Sequence, residues 1–327
     1  MEVLKIGVIS FAHMHAYSFS RALESLPSVE ITGIYDDVPE RGERAAGEFA
    51  ATYYVTVEEL LDSEIDAVVI TSENVYHKRH VLAAARAKKH ILCEKPLATN
   101  IEDAEEMIRQ AAHHKVNLQT AFPVRFNSTI QDVKAFLEED KLGEILGIKA
   151  SNRGSHPGGW FADRTLAGGG AVLDHTVHLI DVMRWFMNTE VAEVYAEIGQ
   201  LFSIEPIDDA GIITVEFANG AFATIDCSWS RTTSYPKGGD IKLEIVGTKG
   251  TLQVDAFGQN IHLYADEKGS VRRFWGDNMN LEMAKEFIAS IREKRSPSVT
   301  GYDGLKAVEA ALAAYQSAEK VAPVKLG

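Results

Sequence analysis

Two short stretches of the chain combine an acid with a base, and the first follows a buried strand. Glu94, Lys95 and Pro96 come directly after the apolar run 91–93. Proline lacks a backbone donor and restricts the residue before it, so Lys95 does not simply continue a helix. Ligands of open parallel α/β sheets bind beyond the carboxyl ends of the strands, where this lysine would lie. The alternative is a strand end followed by a solvated charge pair.

The second stretch is a predicted helix over residues 170–186. Asp174 and His178 are four residues apart, so they share one face, and the rest of the helix is apolar nearly all round. Buried ionisable groups are costly unless paired, and they mark candidate functional sites. An imidazole can take a proton from an alcohol near neutral pH, and a carboxylate one turn away can orient it. The alternative is a structural Asp–His pair.

Three glycines, at 168–170, precede this helix. Glycine has no Cβ, so another backbone or a ligand can approach the helix start closely.

The turn after the first strand has the outline of a dinucleotide-binding turn but lacks its glycines. In the G-x-G-x-x-G fingerprint, glycines let the backbone and a helix N-terminus approach the pyrophosphate. What remains here is a strand, a turn with a small residue and a helix, followed by an acid at the end of the next strand. The candidate cofactor contacts in the turn are Ser10, Phe11, Ala12, His13 and Met14.

Asp36 ends the second predicted strand, where a carboxylate would accept hydrogen bonds from the adenosine ribose. Asp37 adds a second negative charge. With no arginine expected nearby, a 2′-phosphate would be repelled, so the sequence favours NAD over NADP. A turn or helix-capping carboxylate is the alternative for Asp36.

His13 and His15 have a spacing that could supply two metal ligands. The sequence shows no nearby cysteine or carboxylate cluster to complete such a site, so no metal is predicted. Contact between His13 and the nicotinamide or the substrate is the favoured interpretation. A histidine packed at the helix start is the simpler reading of His15.

The order of predicted elements indicates two domains. Strands and helices alternate up to Ala121, which predicts an α/β Rossmann domain with a doubly wound parallel sheet over residues 1–122. Strands then follow one another, and Asn219-Gly220 favours a hairpin. Residues 123–327 are therefore predicted to form an α+β domain with a large, mainly antiparallel open sheet, whose last helix can pack back on the Rossmann domain.

Composition narrows the function classes. The chain has 327 residues, a net charge of −14 and two cysteines, both in predicted strands. The charge argues against nucleic acid or an anionic membrane as a partner, and no apolar run is long enough to span a bilayer. Buried thiols without a signal peptide predict a cytoplasmic protein. The open sheet predicts a homodimer or homotetramer.

Taken together, these motifs resemble the glucose–fructose oxidoreductase / inositol dehydrogenase family, Gfo/Idh/MocA. The resemblance covers nearly the whole chain and rests on Glu94-Lys95-Pro96, Asn74-x-x-His77, Arg125-Phe126, Trp160 and the run from Gly168 to Asp181. It implies a Rossmann domain, a C-terminal α+β domain, a nicotinamide cofactor and a sugar or polyol substrate.

The resemblance also implies roles for individual residues. Lys95, Asp174 and His178 match the catalytic trio of the family. His178 would be the base that deprotonates a substrate hydroxyl, Lys95 would stabilise the alkoxide, and Asp174 would tune both and hold the sugar. Hydride would pass from the carbinol carbon to the nicotinamide.

Further positions are carried over as binding residues. Asn74 and Glu94 match positions near the nicotinamide ribose, and His77 matches one that lines the cofactor cleft. Thr71, Ser72 and Lys95 complete the expected cofactor contacts. Glu73 stands where the family usually has proline, so it could contact the substrate or point to solvent.

The loop 153–161 is the candidate for substrate selection, because aromatic faces with polar neighbours suit sugars. A loop that only packs onto the Rossmann domain is the alternative. The expected substrate contacts are Arg153, His156 and Trp160 and, as a weaker candidate, Arg125; Tyr235 is the other weaker candidate.

The leading hypothesis is an NAD(P)-dependent dehydrogenase acting on the CH–OH group of a sugar, polyol or sugar derivative. One alternative is a glycosidase or lyase in which tightly bound NAD oxidises the sugar transiently. The other is a non-catalytic sugar- or nucleotide-sensing protein, for which the altered first turn is the main argument.

Overall fold

The computed structural model describes residues 2–235, 239–265, 269–274 and 276–327. The chain divides into two compact units. The first consists of Met1–Pro123, Thr165–Gly168 and Asn280–Val308, and the second of Val124–Arg164, Gly169–Met279 and Glu309–Gly327. The chain thus crosses between the units several times, and a single domain boundary after residue 122 stays a prediction.

The first unit contains a six-stranded parallel sheet in the order β3-β2-β1-β4-β5-β6. The order reverses direction at β1, as in doubly wound sheets. The predicted parallel Rossmann sheet is confirmed. Its strands are β1 (Leu4–Ile9), β2 (Val29–Tyr35), β3 (Thr52–Tyr54), β4 (Ala67–Ile70), β5 (His90–Glu94) and β6 (Leu118–Ala121).

Helices connect these strands and cover the sheet. All four residues of β4 are buried, as expected for a strand with helices on both faces. The helices are α1 (His15–Glu24), α2 (Pro39–Glu48), α3 (Val57–Asp62), α4 (His77–Arg86), α5 (Ile101–His114) and, late in the chain, α9 (Met279–Arg292). A 3₁₀ helix over Asn74–Tyr76 precedes α4.

Local sequence sets several of these helix starts. The Thr56 hydroxyl accepts the N–H of Glu59, and the Glu59 carboxylate accepts the N–H of Thr56, which makes the predicted capping box. Asn100 caps α5 through the N–H of Asp103.

The second unit is built on a seven-stranded sheet in the order β12-β11-β7-β10-β9-β8-β15. Only the β7–β10 pairing is parallel, so the predicted, mainly antiparallel sheet is confirmed. The strands are β7 (Ile145–Ser151), β8 (Val191–Gly199), β9 (Ala210–Phe217), β10 (Phe222–Asp226), β11 (Lys242–Gly247), β12 (Gly250–Asp255) and β15 (Val324–Lys325). A separate hairpin consists of β13 (Asn260–Ala265) and β14 (Gly269–Phe274).

The remaining helices are α6 (Ser128–Glu138), the short α7 (Arg164–Ala167), α8 (Ala171–Met187) and α10 (Gly301–Lys320). Most side chains of α8 are buried, including those of Thr176, His178 and Asp181. This helix carries the Asp174–His178 pair. No helix among the described residues combines the length and apolar character that crossing a membrane requires.

The sheet of the second unit shows regular alternation of burial. Side chains along β9 and β11 are alternately buried and exposed, which leaves one face accessible in this chain. That face carries large apolar side chains, with Ile212 51 % and Phe222 58 % exposed. The predicted hairpin at Asn219-Gly220 joins β9 to β10, and Gly220 has φ 85°.

Candidate active-site regions

In the first unit, the predicted cofactor residues follow four adjacent strands, β2, β1, β4 and β5. The strands are parallel, so their carboxyl ends share one edge of the sheet. The sequence therefore places these side chains at the edge where a dinucleotide binds in this fold. They are Ser10, Phe11, Ala12, His13, Met14, Asp36, Thr71, Ser72, Asn74, His77, Glu94 and Lys95.

The turn after β1, residues 10–14, contains no glycine but includes a residue with a glycine-like backbone conformation. Ser10 has φ 71°, a left-handed conformation that glycine adopts most easily. The sheet holds this strain: Ser10 N donates to the Tyr35 carbonyl at 2.7 Å, and Thr71 Oγ1 donates to the Ser10 carbonyl at 2.6 Å. The Ser10 hydroxyl accepts the Ala12 N–H at 3.2 Å. Ser10 thus has a glycine-like conformation in a turn that contains no glycine.

Asp36 is buried, and neighbouring residues of the first unit form hydrogen bonds with its carboxylate. Its carboxylate accepts the Phe11 N–H at 2.6 Å and the Val38 N–H at 2.9 Å. Arg41 Nε lies 2.8 and 3.0 Å from the two oxygens. The expectation that no arginine lies near Asp36 was therefore wrong, because α2 returns Arg41 to the end of β2. The two charges form a pair at the place predicted for the adenosine ribose.

Glu94 has two imidazoles beside it. It is 0 % exposed, and its Oε2 lies 3.3 Å from Nδ1 of His15. Burial by itself raises the pKa of this carboxyl, but the charges of His13, His15 and Lys95 lower it to about 2. The statement that no carboxylate accompanies the two histidines was wrong, since β5 brings in a residue 79 positions from His15.

Lys95 directly follows β5 and is buried. Its peptide bond to Pro96 is cis.

Asn74 and His77, two further predicted cofactor residues, form hydrogen bonds with backbone carbonyls. Asn74 Nδ2 donates to the Ala167 carbonyl at 2.9 Å. His77 is fully buried, with Nδ1 2.9 Å from the Pro96 carbonyl and Nε2 3.1 Å from the Ser72 carbonyl. Burial lowers the pKa of His77, so the ring is neutral and donates to one of these oxygens at a time. These contacts connect the ends of β4 and β5, and a direct cofactor contact of His77 stays a prediction.

The first unit fits a bound dinucleotide. Ser10 keeps the left-handed turn, and α1 begins at His15 with no side-chain cap and no acidic residue in its first turn. A helix start of this kind attracts phosphate through its N–H groups and dipole. The residues that would hold NAD are therefore those of the turn, together with the ends of β2, β4 and β5.

In the second unit, the half-buried carboxylate of Asp208 fixes the start of α8. Asp208 accepts the N–H groups of Gly170 and Val172, each at 2.9 Å, and its own carbonyl accepts the Ala171 N–H at 2.9 Å. Tyr315 donates its hydroxyl to the same carboxylate at 2.9 Å. A Cβ on Gly170 would lie 2.0 Å from the Asp208 carbonyl oxygen, so the predicted close approach of another backbone is confirmed.

Asp174 is held by neighbours that the sequence did not single out. Trp229 Nε1 donates to Asp174 Oδ2 at 3.2 Å, and His175 Nε2 lies 3.3 Å from the same oxygen. The other nitrogen of His175 lies 2.9 Å from the Cys227 carbonyl. His178 is one turn further along α8 and is buried. The Asp174 carboxylate therefore has a defined orientation before a ligand binds.

The structure brings two of the predicted substrate residues close to this group. The His156 ring lies edge-on to Trp229, with ring centroids 4.9 Å apart. Trp160 stacks on Phe161 at 3.9 Å and packs against the same cluster as Trp229. The loop 153–161 thus reaches the aromatic surroundings of Asp174.

The other predicted substrate residues have different neighbours. Arg125 is buried and forms an ion pair with Asp181 through both Nε and Nη2, with Nε at 2.9 Å. Arg153 lies 3.7 Å from Asp226 and lines a groove over β7, β10 and β11. A substrate contact by Arg125 would have to compete with a buried charge pair.

Tyr235, the other weaker candidate, lies beside Arg231, whose guanidinium carbon is 4.2 Å from the ring centroid.

The sequence did not reveal four residues that hold the candidate side chains in place, namely Asp208, Tyr315, Trp229 and Arg41. Trp229 follows a strand and reads as ordinary core, and Tyr315 lies 145 residues from Gly170. For Arg41 a signal existed, because it lies five residues after Asp36 and one turn into a predicted helix.

Comparisons with known proteins match two parts of the chain to family models. Residues 1–122 match the family described as "Oxidoreductase family, NAD-binding Rossmann fold", and residues 130–253 match the GFO/IDH/MocA C-terminal domain. The chain is 31 % identical to myo-inositol 2-dehydrogenase of Thermotoga maritima, with 99 % of this chain and 98 % of that protein covered. It is also 31 % identical to 1,5-anhydro-D-fructose reductase of Ensifer adhaerens, over 88 % of this chain and 89 % of that protein.

Solved structures share the fold. A probable dehydrogenase from Thermotoga maritima superimposes with a TM-score of 0.86 at 29 % identity, covering 98 % of each chain. GenD2 from gentamicin A biosynthesis, solved in complex with NAD, has a TM-score of 0.93 at 24 % identity, covering 100 % of this chain and 97 % of that one. The chain therefore belongs to the GFO/IDH/MocA family of oxidoreductases and carries its NAD-binding Rossmann domain.

Proposed function

We propose that the protein is an NAD-dependent dehydrogenase that oxidises a secondary alcohol of a cyclic polyol or sugar. The proposal rests mainly on Asp174 and His178, the acid and base on α8. A carboxylate already oriented by Trp229 lies one turn before a buried imidazole, in a chain whose other unit binds NAD. Buried acid–base pairs of this kind serve proton transfer in many active sites.

His178 acts as the general base. Its Nδ1 is buried, which leaves Nε2 as the nitrogen that takes the hydroxyl proton. Asp174 stabilises the imidazolium that results, and the Trp229 N–H keeps this carboxylate in place. Lys95 donates a hydrogen bond to the substrate oxygen and stabilises its negative charge as the proton leaves. Bound NAD supplies the hydride acceptor.

The substrate class follows from the relatives and from the aromatic loop. The relatives include proteins named for myo-inositol, scyllo-inositol and 1,5-anhydro-D-fructose, all cyclic polyhydroxy compounds. His156, Trp160 and Trp229 lie near Asp174. Flat rings next to a carboxylate suit a sugar ring, since its C–H face packs on aromatic carbon and its hydroxyls reach the polar group.

The test is NAD reduction with a panel of inositols, anhydrosugars and hexoses, followed by absorbance of NADH. We expect turnover with at least one of them and a loss of about 100-fold or more in kcat for Lys95→Ala. Lys285→Ala, which removes a surface lysine of α9, is the control and should retain activity. Undiminished turnover in Lys95→Ala would reject the proposed role of this lysine. Substrate conversion without net NADH would select the lyase-type hypothesis.

We also propose that the protein is a cytoplasmic homo-oligomer that associates through the exposed face of the seven-stranded sheet. The support is the pair of large apolar side chains on that face, Ile212 and Phe222. Light scattering on the purified protein tests this, and Phe222→Lys should shift the mass toward that of one chain.

A further inference from the structure

A cluster of potential metal ligands lies in the first unit. His13, His15 and Glu94 each bring one nitrogen or oxygen to within 4.8 Å of the others. Nδ1 of His15 and Oε2 of Glu94 are 3.3 Å apart, and the two imidazole centroids are 4.4 Å apart. Ligand atoms around a tetrahedral zinc ion are about 3.4 Å apart, given Zn–N bonds of 2.0–2.1 Å. One pair therefore has this separation already, and the third ligand needs only a small side-chain movement.

The Glu94 carboxylate gives a second, independent indication of a cation. It is completely buried, and its Oε1 has no hydrogen-bond partner among the described residues. A buried carboxylate oxygen in that situation carries a desolvation cost that a bound cation would remove. A ribose hydroxyl could also satisfy this oxygen, but it would make no use of the two imidazoles.

The imidazoles can become ligands at small cost. His13 accepts the N–H of His15 at its Nδ1, at 3.0 Å. Coordination through Nδ1 replaces this hydrogen bond, and coordination through Nε2 requires the ring proton to move to Nδ1. Either route gives up this hydrogen bond, and coordination by His15 Nδ1 also replaces its contact with Glu94 Oε2. These losses are small beside the free energy of metal–imidazole bonds.

We propose that His13, His15 and Glu94 bind one divalent transition-metal ion, for which Zn²⁺ is the best chemical match. Two imidazoles and one carboxylate are a three-ligand set that leaves a fourth position open to water or another oxygen ligand. Ca²⁺ and Mg²⁺ prefer oxygen ligands and fit this set poorly. Glu94 and His13 are also proposed cofactor contacts, so the ion and NAD should compete. Only this last expectation rests on the proposed function.

The test is metal binding by the full-length protein, freed of metal by chelation, in the absence of NAD and substrate. Co²⁺ is titrated while its visible absorption is recorded, and Zn²⁺ is then added to displace it. His15→Gln removes a half-buried ligand, and Glu94→Gln removes the buried one while keeping its shape. His113→Gln, on the surface of α5, controls for binding by ordinary histidines. Circular dichroism checks that each variant is folded.

We expect one Co²⁺ per chain with the intense visible bands of a four-coordinate site, displaced by one equivalent of Zn²⁺. The affinity of His15→Gln should fall by about 100-fold or more, and that of His113→Gln should not change. Absence of stoichiometric binding would overturn the proposal, as would equal affinity in wild type and His15→Gln. An equal loss in His113→Gln would assign the binding to surface histidines and overturn it as well. None of these results bears on NAD reduction, so the two proposals fail separately.

Discussion

The two candidate regions differ in how their side chains are held. In the first unit, the cofactor residues lie at the ends of neighbouring parallel strands, and the pairing of β1 with β2 and β4 sets their positions. In the second unit, the acid and base lie on one helix, α8, whose start and carboxylate are fixed by residues far along the chain. Trp229 is 55 residues from Asp174, and Tyr315 is 145 residues from Gly170.

This difference predicts different responses to mutation. The first region depends on a sheet with many hydrogen bonds, which also supports the left-handed Ser10 in a turn without glycine. The second region depends on a few polar side chains, and one of them, Asp208, accepts two backbone N–H groups and the Tyr315 hydroxyl. Removing one of those side chains leaves buried donors without acceptors, which is among the more costly changes in a protein interior.

The largest effect should come from the base itself. His178→Asn should lower kcat by about 100- to 10,000-fold, because proton transfer by a positioned base contributes that much. Dinucleotide binding belongs to the first unit and should change little. Steady-state kinetics and NAD titration by intrinsic fluorescence measure the two quantities. A variant with wild-type kcat would show that the Asp174–His178 pair is only structural.

The next prediction compares the stability cost of removing the polar side chain that fixes one helix start in each unit. Asp208→Ala should lower the free energy of unfolding by about 3 kcal/mol, because the Val172 N–H and the Tyr315 hydroxyl lose their acceptor and the Gly170 N–H loses one of two. Asn100→Ala removes the cap of α5 and should cost about 1 kcal/mol. Urea unfolding measures both. Equal costs would contradict the claim that the second region relies on fewer, more critical contacts.

A smaller effect is expected at Trp229. Trp229→Phe keeps an aromatic ring but removes the N–H that Asp174 accepts. A hydrogen bond to a charged group is worth about 1.5–3 kcal/mol, so kcat/KM should fall by about tenfold or more while the protein stays folded. Phe161→Leu alters the same apolar cluster but keeps the Trp229 N–H, and it serves as the control. If both variants behave alike, packing and not the hydrogen bond is what matters.

The smallest effect is a pH dependence in the first unit. Burial lowers the pKa of His80 to about 3, and its ring lies between Arg79 and the Ser72 hydroxyl. Below pH 6.5 the unfolded chain takes up a proton that the folded chain does not. Stability should therefore fall by about 1.4 kcal/mol as the pH drops from 6.5 to 5.5.

The unfolding free energy of His80→Gln should depend less steeply on pH, because the variant lacks the proton that His80 takes up on unfolding. The measurement is urea unfolding at pH 7 and at pH 5.5. An unchanged slope in the variant would mean that His80 is protonated in the folded protein.

Much of the architecture was accessible from the sequence. The alternation of strands and helices up to Ala121 predicted the parallel sheet, and Thr56, Asn100 and Asn219-Gly220 predicted a capping box, a helix cap and a hairpin that are all present. The short edge strand β3 was missed. It has only three residues, none of them buried, so the sequence offers no run of apolar residues to recognise.

Only part of the candidate site could be predicted from the sequence. The local motifs identified Lys95, Asp174 and His178 as candidates, but the partners of Asp36, Glu94 and Asp174 could not be found. For Arg125 and Arg153 a substrate contact stays a prediction, and the sequence did not show that the fold pairs them with Asp181 and Asp226.

The sequence by itself determined the order of the elements, the two kinds of sheet and the family, because periodicity, caps and short motifs are properties of neighbouring residues. Tertiary structure alone decided which charges meet. Glu94 lies beside His15, Arg41 beside Asp36, and Asp208 at the start of α8. The reason is physical: an ion pair or hydrogen bond forms within about 3 Å, and only the packing of strands and helices brings residues from distant parts of the chain that close.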